Sequence, residues 1–135
     1  MRAIMIGTVL AMTALAGCKS DSPDPLEALA PNVIWKVTEI AGTPVPAKVE
    51  VTLSHPEKGL IAGSSGCNRY NGRISTQDGR VRIGELAGTR MMCPPDVMEV
   101  EGAFHSNIAR VDAVNIVGDK LQLLENGTPV IIAEH

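Results

Sequence analysis

From Gly63 to Gly72 the chain reads Gly-Ser-Ser-Gly-Cys-Asn-Arg-Tyr-Asn-Gly, and further on Thr89-Arg90-Met91-Met92-Cys93 supplies a second cysteine. No other stretch limits the fold as strongly. Glycine is used where the backbone takes positive φ or approaches closer than a Cβ allows. The two stretches together are read as a strand–bend–strand corner stapled by a Cys67–Cys93 disulfide. Metal ligation and redox catalysis are the rival readings. A metal asks for more ligands at suitable spacing, and His55, His105 and His135 form no paired pattern. Redox chemistry favours Cys-x-x-Cys, which the sequence lacks. As a structural staple, a bridge closing a loop of this length is worth roughly 3 kcal/mol in the chain-entropy account.

The third cysteine, Cys18, belongs to a leader. Met1-Arg2 is a short positive start, Ala3 to Ala14 an apolar run, and Leu15-Ala16-Gly17 a small-residue exit. That is the build of a secretory signal over residues 1–17, too short to span a bilayer as a helix. Leu15-Ala16-Gly17-Cys18 resembles the bacterial lipobox. The resemblance implies that Cys18 is acylated, palmitate included, and becomes the first residue after cleavage. Several acyl chains hold a protein stably where one does not. Lys19 stands where aspartate would signal inner-membrane retention, which implies the cell outer membrane and its periplasmic face. Cys67 and Cys93 are then left as a pair in a compartment that permits disulfides. Residues 18–31, polar and proline-bearing, read as the lipidated cysteine with a flexible tether. The folded domain is expected over residues 32–135.

Composition narrows the rest. One domain fits this length, and apolar residues at 44% suffice for a core. Trp35, Tyr70 and Phe104 are the only aromatics, so that core is mainly aliphatic. A formal charge of −3 with no basic run argues against nucleic-acid binding, as does the shortage of rings on which bases could stack.

Residues 33–40 alternate as a half-buried strand with Trp35, Val37 and Ile40 inward, and residues 48–53 put Val49, Val51 and Leu53 on one face. His55-Pro56-Glu57-Lys58-Gly59 reads as a turn leading into the corner. Residues 69–75 and 80–83 read as strands joined by Gln77-Asp78-Gly79, and residues 85–90 as a shorter extended piece. Pro94-Pro95-Asp96 opens the one helix, with Asp96 expected to cap free amides. Val97, Val100, Phe104, Ile108 and Val111 follow as an apolar stripe at helical period. Residues 113–117, 120–124 and 129–133 close the chain as a meander. The expected class is α+β: a mostly antiparallel, strongly curved, barrel-like sheet with a single helix inserted before the last three strands.

With these residues in order, the chain resembles the META domain, the family of heat-shock HslJ-type lipoproteins. The residues that carry the likeness are Trp35, Gly66, Cys67 and Asn68 with Gly72 behind them, then Thr89, Met91 and Cys93. Glu101 and Phe104 in the helix and Leu121-x-Leu123 in a late strand complete it. The likeness covers residues 32–135. It implies a small β-rich envelope domain linked to heat or envelope stress and to antibiotic tolerance. It supplies no biochemical activity and no cofactor. The fold it implies is also similar to that of secretion pilot lipoproteins, which shelter an acyl chain and escort an outer-membrane ring.

Catalysis finds little support in the residues. Gly63-Ser64-Ser65-Gly66 is one residue short of a nucleophile elbow, so both serines are read as turn residues bonding their own backbone. His105 lies off the apolar stripe and is read as a solvated surface residue. Glu99 and Glu101 point different ways on the helix; Glu101 is given a structural role, accepting bonds from backbone or from Arg90. Asn68 is expected to bond the local backbone, with a ligand contact as the rival. Met91 and Met92 could line an adaptable apolar surface, although core filling is favoured for at least one of them. The expectation is a non-enzymatic outer-membrane lipoprotein, a binding or stress-tolerance module with neither metal nor cofactor. Its partners would be the membrane through Cys18 and an envelope protein or a lipid or acyl ligand. A pilot-like chaperone is the alternative; an envelope hydrolase or a protease inhibitor fits less well.

Overall fold

The computed structural model describes residue 17 and residues 23–135. The lipidation expected at Cys18 lies outside the described residues. Alternating aliphatic and polar residues lay down β1 (Ile34–Ile40), β2 (Thr43–Pro44), β3 (Thr52–Glu57), β4 (Leu60–Ser64), β5 (Arg69–Gln77), β6 (Arg80–Ile83) and β7 (Ala87–Gly88). One α-helix among the described residues, α1 (Pro95–Ile108), precedes β8 (Ala113–Val117), β9 (Lys120–Glu125) and β10 (Thr128–Glu134). All pairings are antiparallel, in the order β6-β5-β4-β3-β1-β10-β9-β8, with β2 beside β1 and β7 beside β5.

The sheet is curled but not closed. Its two ends, β6 and β8, meet where the Val81 N–H donates to the Asp112 carbonyl at 2.9 Å, beside an Arg80–Asp112 ion pair at 3.7 Å. Leu53, Ile61, Leu121, Leu123 and Ile131 line the interior, and α1 packs on β1 and β10 with Phe104 and Ile108 turned into the same core. The expected class and helix position are therefore found.

Local chemistry explains the details. Asp78-Gly79 and Asn126-Gly127 take positive φ at both residues, which suits two-residue hairpins. In β1 the register against β10 slips between Val37 and Glu39. That bulge adds one residue on the β1 side, so Ile40 returns to the core although it is three residues from Val37.

Three expectations are corrected. The packed unit begins before residue 32. Asp24 caps a 3₁₀ turn at Pro25–Ala28 by accepting the Leu26 N–H at 3.0 Å, and Leu26 and Leu29 are buried. This segment lies against β5 and β8. His55 and Pro56 belong to β3 rather than to a turn, because a register shift between Ser54 and Glu57 absorbs the proline; only Lys58-Gly59 turns. Asp96 does not cap α1. Pro94 occupies the cap position without a side-chain bond, and the Asp96 carboxylate pairs instead with Lys48.

Candidate functional site

The corner between β4 and β5 is built around one buried carboxylate. Glu101, in the second turn of α1, is 7% exposed. Its Oε1 accepts the Ser65 hydroxyl and the Asn68 backbone N–H, each at 2.7 Å, and its Oε2 accepts Asn68 Nδ2 at 2.8 Å. Gly66 is needed in this bend for its backbone conformation rather than for space. It takes φ +123°, and a Cβ there would meet Val49 Cγ1 at 3.4 Å and Glu101 Cβ at 3.7 Å. Burial pushes the Glu101 carboxyl upward, but the three donors outweigh it and hold the group below its ordinary 4.5.

Asn68 carries the bonding on to the second stretch. Its Oδ1 accepts the Met91 N–H at 2.6 Å and the Thr89 hydroxyl at 2.9 Å, while Nδ2 also donates to the Met91 carbonyl at 3.1 Å. The amide's hydrogen-bonding capacity is thus used up, which leaves nothing for a ligand. Thr89 Oγ1 in turn accepts the Arg69 N–H at 3.2 Å. Next to this network Cys67 and Cys93 are bonded, with Cα atoms 5.9 Å apart. Gly72 serves the same corner from β5, since a Cβ there would sit 2.6 Å from Leu86 Cδ2.

The network fixes the backbone at Met91 while leaving the Met91 and Met92 side chains outside. Met91 is 58% exposed and Met92 86% exposed. The expectation that one of them fills the core is overturned: the bonds from Asn68 to both backbone groups of Met91 turn this segment's peptide units inward. Arg90 is exposed too and has no carboxylate within 4.0 Å among the described residues, so it is not the partner of Glu101. Ser65 does bond its own bend, at 2.9 Å to the Asn68 carbonyl, as expected of a turn serine; its contact with Glu101 adds a bond across to the helix. His105 is half-buried, its ring 5.8 Å from Phe104 and 6.3 Å from Tyr70. Trp35 stands apart at the far side of β1, edge-on to His135 at 4.5 Å.

A hollow of about 280 Å³ lies at the corner itself, beside Asn68, Thr89, Glu101 and His105, and one of about 490 Å³ lies by Arg73 and Glu85. Two more are mainly apolar. One of about 550 Å³ runs beneath the 3₁₀ turn, between Leu26, Leu29, His55 and Ile74. The other, about 340 Å³, is an apolar groove between α1 and β2 lined by Ile40, Val45, Val100 and Ala103. Among the described residues no helix is long and apolar enough to cross a membrane. No group of three or more His, Cys, Asp or Glu side chains gathers there to hold a metal.

The order of these elements, and the pairing of the Gly-Cys-Asn bend with a helical glutamate, can be compared with known proteins. The family model of the META domain matches residues 27–135. The chain belongs to the META domain family. It is 28% identical over 116 residues to heat shock protein HslJ of Escherichia coli strain K12, covering 81% of this chain and 79% of that protein. An NMR structure shares the fold at a TM-score of 0.62 and 26% identity, over 84% of this chain and 96% of the other. A second, of a protein from Burkholderia xenovorans, gives 0.62 and 25% over 96% and 97%.

In this META domain the staple has a measurable weight. Replacing both cysteines by serine is expected to lower unfolding stability by about 3 kcal/mol, chiefly by freeing the unfolded chain. Urea midpoints of the oxidised and double-serine proteins check this; equal midpoints would mean the bridge constrains nothing.

Proposed function

We propose that this protein is a lipid-anchored outer-membrane lipoprotein of the cell envelope. It has no catalytic activity and supports the cell under heat or envelope stress and against antibiotics, by binding another envelope component. One observation carries the binding reading. The polar groups of the family corner are spent on one another, and what they hold outward is an exposed methionine pair on a braced backbone. An exposed apolar pair on a pre-ordered loop loses little entropy on contact, and methionine adapts to varied partner surfaces. The heat-shock name of the Escherichia coli relative supports the stress assignment. The Leu-Ala-Gly-Cys leader supports the anchor.

The test is complementation. A strain lacking the gene is expected to survive heat poorly and to recover with the wild-type gene, whereas the Met91→Ser, Met92→Ser double variant at equal abundance restores little. Full recovery with the double variant overturns the loop as the contact surface. No heat phenotype in the deletion strain overturns the stress role.

A second reading, a pilot-like chaperone, draws on the apolar groove between α1 and β2. It requires the protein to take up fatty acid there. A Val100→Trp variant would then lose that uptake, and a wild-type protein that binds none disposes of it.

A further inference from the structure

The chain is net negative and its lysines are scattered, yet its arginines are gathered. Arg69, Arg73, Arg80, Arg82 and Arg90 fall in one stretch that carries only two carboxylates, Asp78 and Glu85. Of the arginines beyond the leader, Arg110 alone lies elsewhere.

Strand register puts the middle of this group on one surface. Ile74 and Val81 are buried, so Arg73, Ser75 and Gln77 of β5 share the outer face with Arg80 and Arg82 of β6. Ser75 stands opposite Arg82 and Gln77 opposite Arg80, which leaves Arg73 on the diagonal from Arg82. Like charges this close on a sheet are mutually destabilising. Only Arg80 is relieved, by Asp112 at 3.7 Å; Arg73 and Arg82 have no carboxylate within 4.0 Å among the described residues. The repulsion is retained without an internal partner.

The N-terminal segment leaves the domain beside the same hairpin. Asp24 accepts the Thr76 hydroxyl at 2.7 Å, on the face of β5 opposite Arg73, Ser75 and Gln77, so the segment passes under the hairpin whose outer side carries the arginines. Asp24 is six residues from Cys18. A chain extends at most about 3.6 Å per residue, which confines Cys18 to within roughly 20 Å of Asp24.

We propose that the Arg73, Arg80 and Arg82 face of the β5–β6 hairpin rests on anionic phospholipid headgroups of the membrane that holds Cys18. The inference depends on the anchor reading above. Its chemistry is that of the guanidinium fork, which binds phosphate oxygens two at a time. Each arginine close to an anionic surface strengthens contact about fivefold and loses its effect in high salt. The lipid alone would leave the domain free to tumble; the arginine face gives it one side toward the membrane.

The test uses the full-length protein purified from membranes and inserted into vesicles. Its intact mass is read first, and an unmodified Cys18 fails the anchor reading by itself, whatever the face does. Phenylglyoxal labelling of each arginine is then followed by mass spectrometry. It is compared between vesicles of phosphatidylcholine alone and vesicles with one quarter phosphatidylglycerol. Arg73 and Arg82 are expected to label several-fold more slowly on the anionic vesicles and to recover in high salt, with Arg110 unchanged throughout. In an Arg73→Glu, Arg82→Glu variant, Arg80 should lose its protection. Equal labelling of Arg73 and Arg82 on both vesicle types overturns the proposal.

Discussion

Replacing Glu101 by alanine is expected to cost the fold about 3–5 kcal/mol, because buried neutral donors lose a charged acceptor at roughly 1–3 kcal/mol each. Three donors converge on this carboxylate: the Ser65 hydroxyl, the Asn68 N–H and the Asn68 amide. Truncation leaves the Asn68 N–H and one hydrogen of its amide without their acceptor, while the Ser65 hydroxyl keeps the Asn68 carbonyl. Glutamine separates charge from shape. Its oxygen can replace Oε1 and keep two bonds, but its amide then faces Asn68 Nδ2, donor to donor. The expected loss for Glu101→Gln is smaller, about 1–3 kcal/mol. Urea unfolding of the three proteins at neutral pH orders them, provided the slopes agree. If alanine proves no worse than glutamine, the corner does not depend on the acceptor.

Acid gives the same network a second readout. The folded Glu101 carboxyl lies below its ordinary 4.5. A group held low in the folded state contributes stability that is present above the unfolded value and lost as pH falls through the folded one. Wild-type stability is therefore expected to drop below about pH 4.5, and the gap between wild type and Glu101→Gln to narrow there. A gap that stays constant down to pH 3 would mean that the carboxylate is not preferentially stabilised by folding.

What could be read from the residues, and what could not, divides along physical lines. Hairpins at Asp78-Gly79 and Asn126-Gly127 are local, since two residues set the turn. The stripe through Phe104 and Ile108 is local as well, because helical period alone selects the buried face. The staple needed only that Cys67 and Cys93 remain once Cys18 is assigned to the leader. The partners of Glu101 were half legible: a backbone N–H was expected and is found at Asn68, but the Asn68 amide was not. The residue matched a family pattern, but whether it meets Arg90 or Asn68 depends on how the helix is rotated over the bend, and no sequence period encodes that. Met91 and Met92 failed for a related reason. An apolar pair between a buried corner and a helix suggests core, and only the bonds from Asn68 to the Met91 backbone turn the side chains out. Leu26 and Leu29 were concealed by length: two apolar residues among prolines and charges make too short a pattern to distinguish a docked turn from a tether. A better signal was present in Asp24-Pro25, an acceptor directly before proline, which is how a helical turn often begins.

Removing the Phe104 ring is expected to cost about as much as removing the Glu101 carboxylate, roughly 3–5 kcal/mol, but by a route without charge. Phe104 is fully buried, and its ring lies 5.1 Å from that of Tyr70 at a 47° tilt. The void left by Phe104→Ala cannot be filled cheaply by Tyr70. Its hydroxyl donates to the Thr52 carbonyl at 2.8 Å, and burial raises the energy of its ionised form. Swinging the ring into the gap would leave both the hydroxyl and the carbonyl unpaired. Leucine keeps most of the volume, so Phe104→Leu should cost only about 1 kcal/mol. The two sites are also coupled. Glu101 and Phe104 are three residues apart on α1, one fixing the helix to the bend and the other to the interior, so a combined Glu101→Ala, Phe104→Ala protein should lose less than the two single losses predict. Once either attachment is gone, the helix has partly undocked and the other has less left to stabilise. Strict additivity would instead mean that the bend and the core hold α1 independently, and that the Met91–Met92 loop can be loosened without disturbing the curled sheet beneath it.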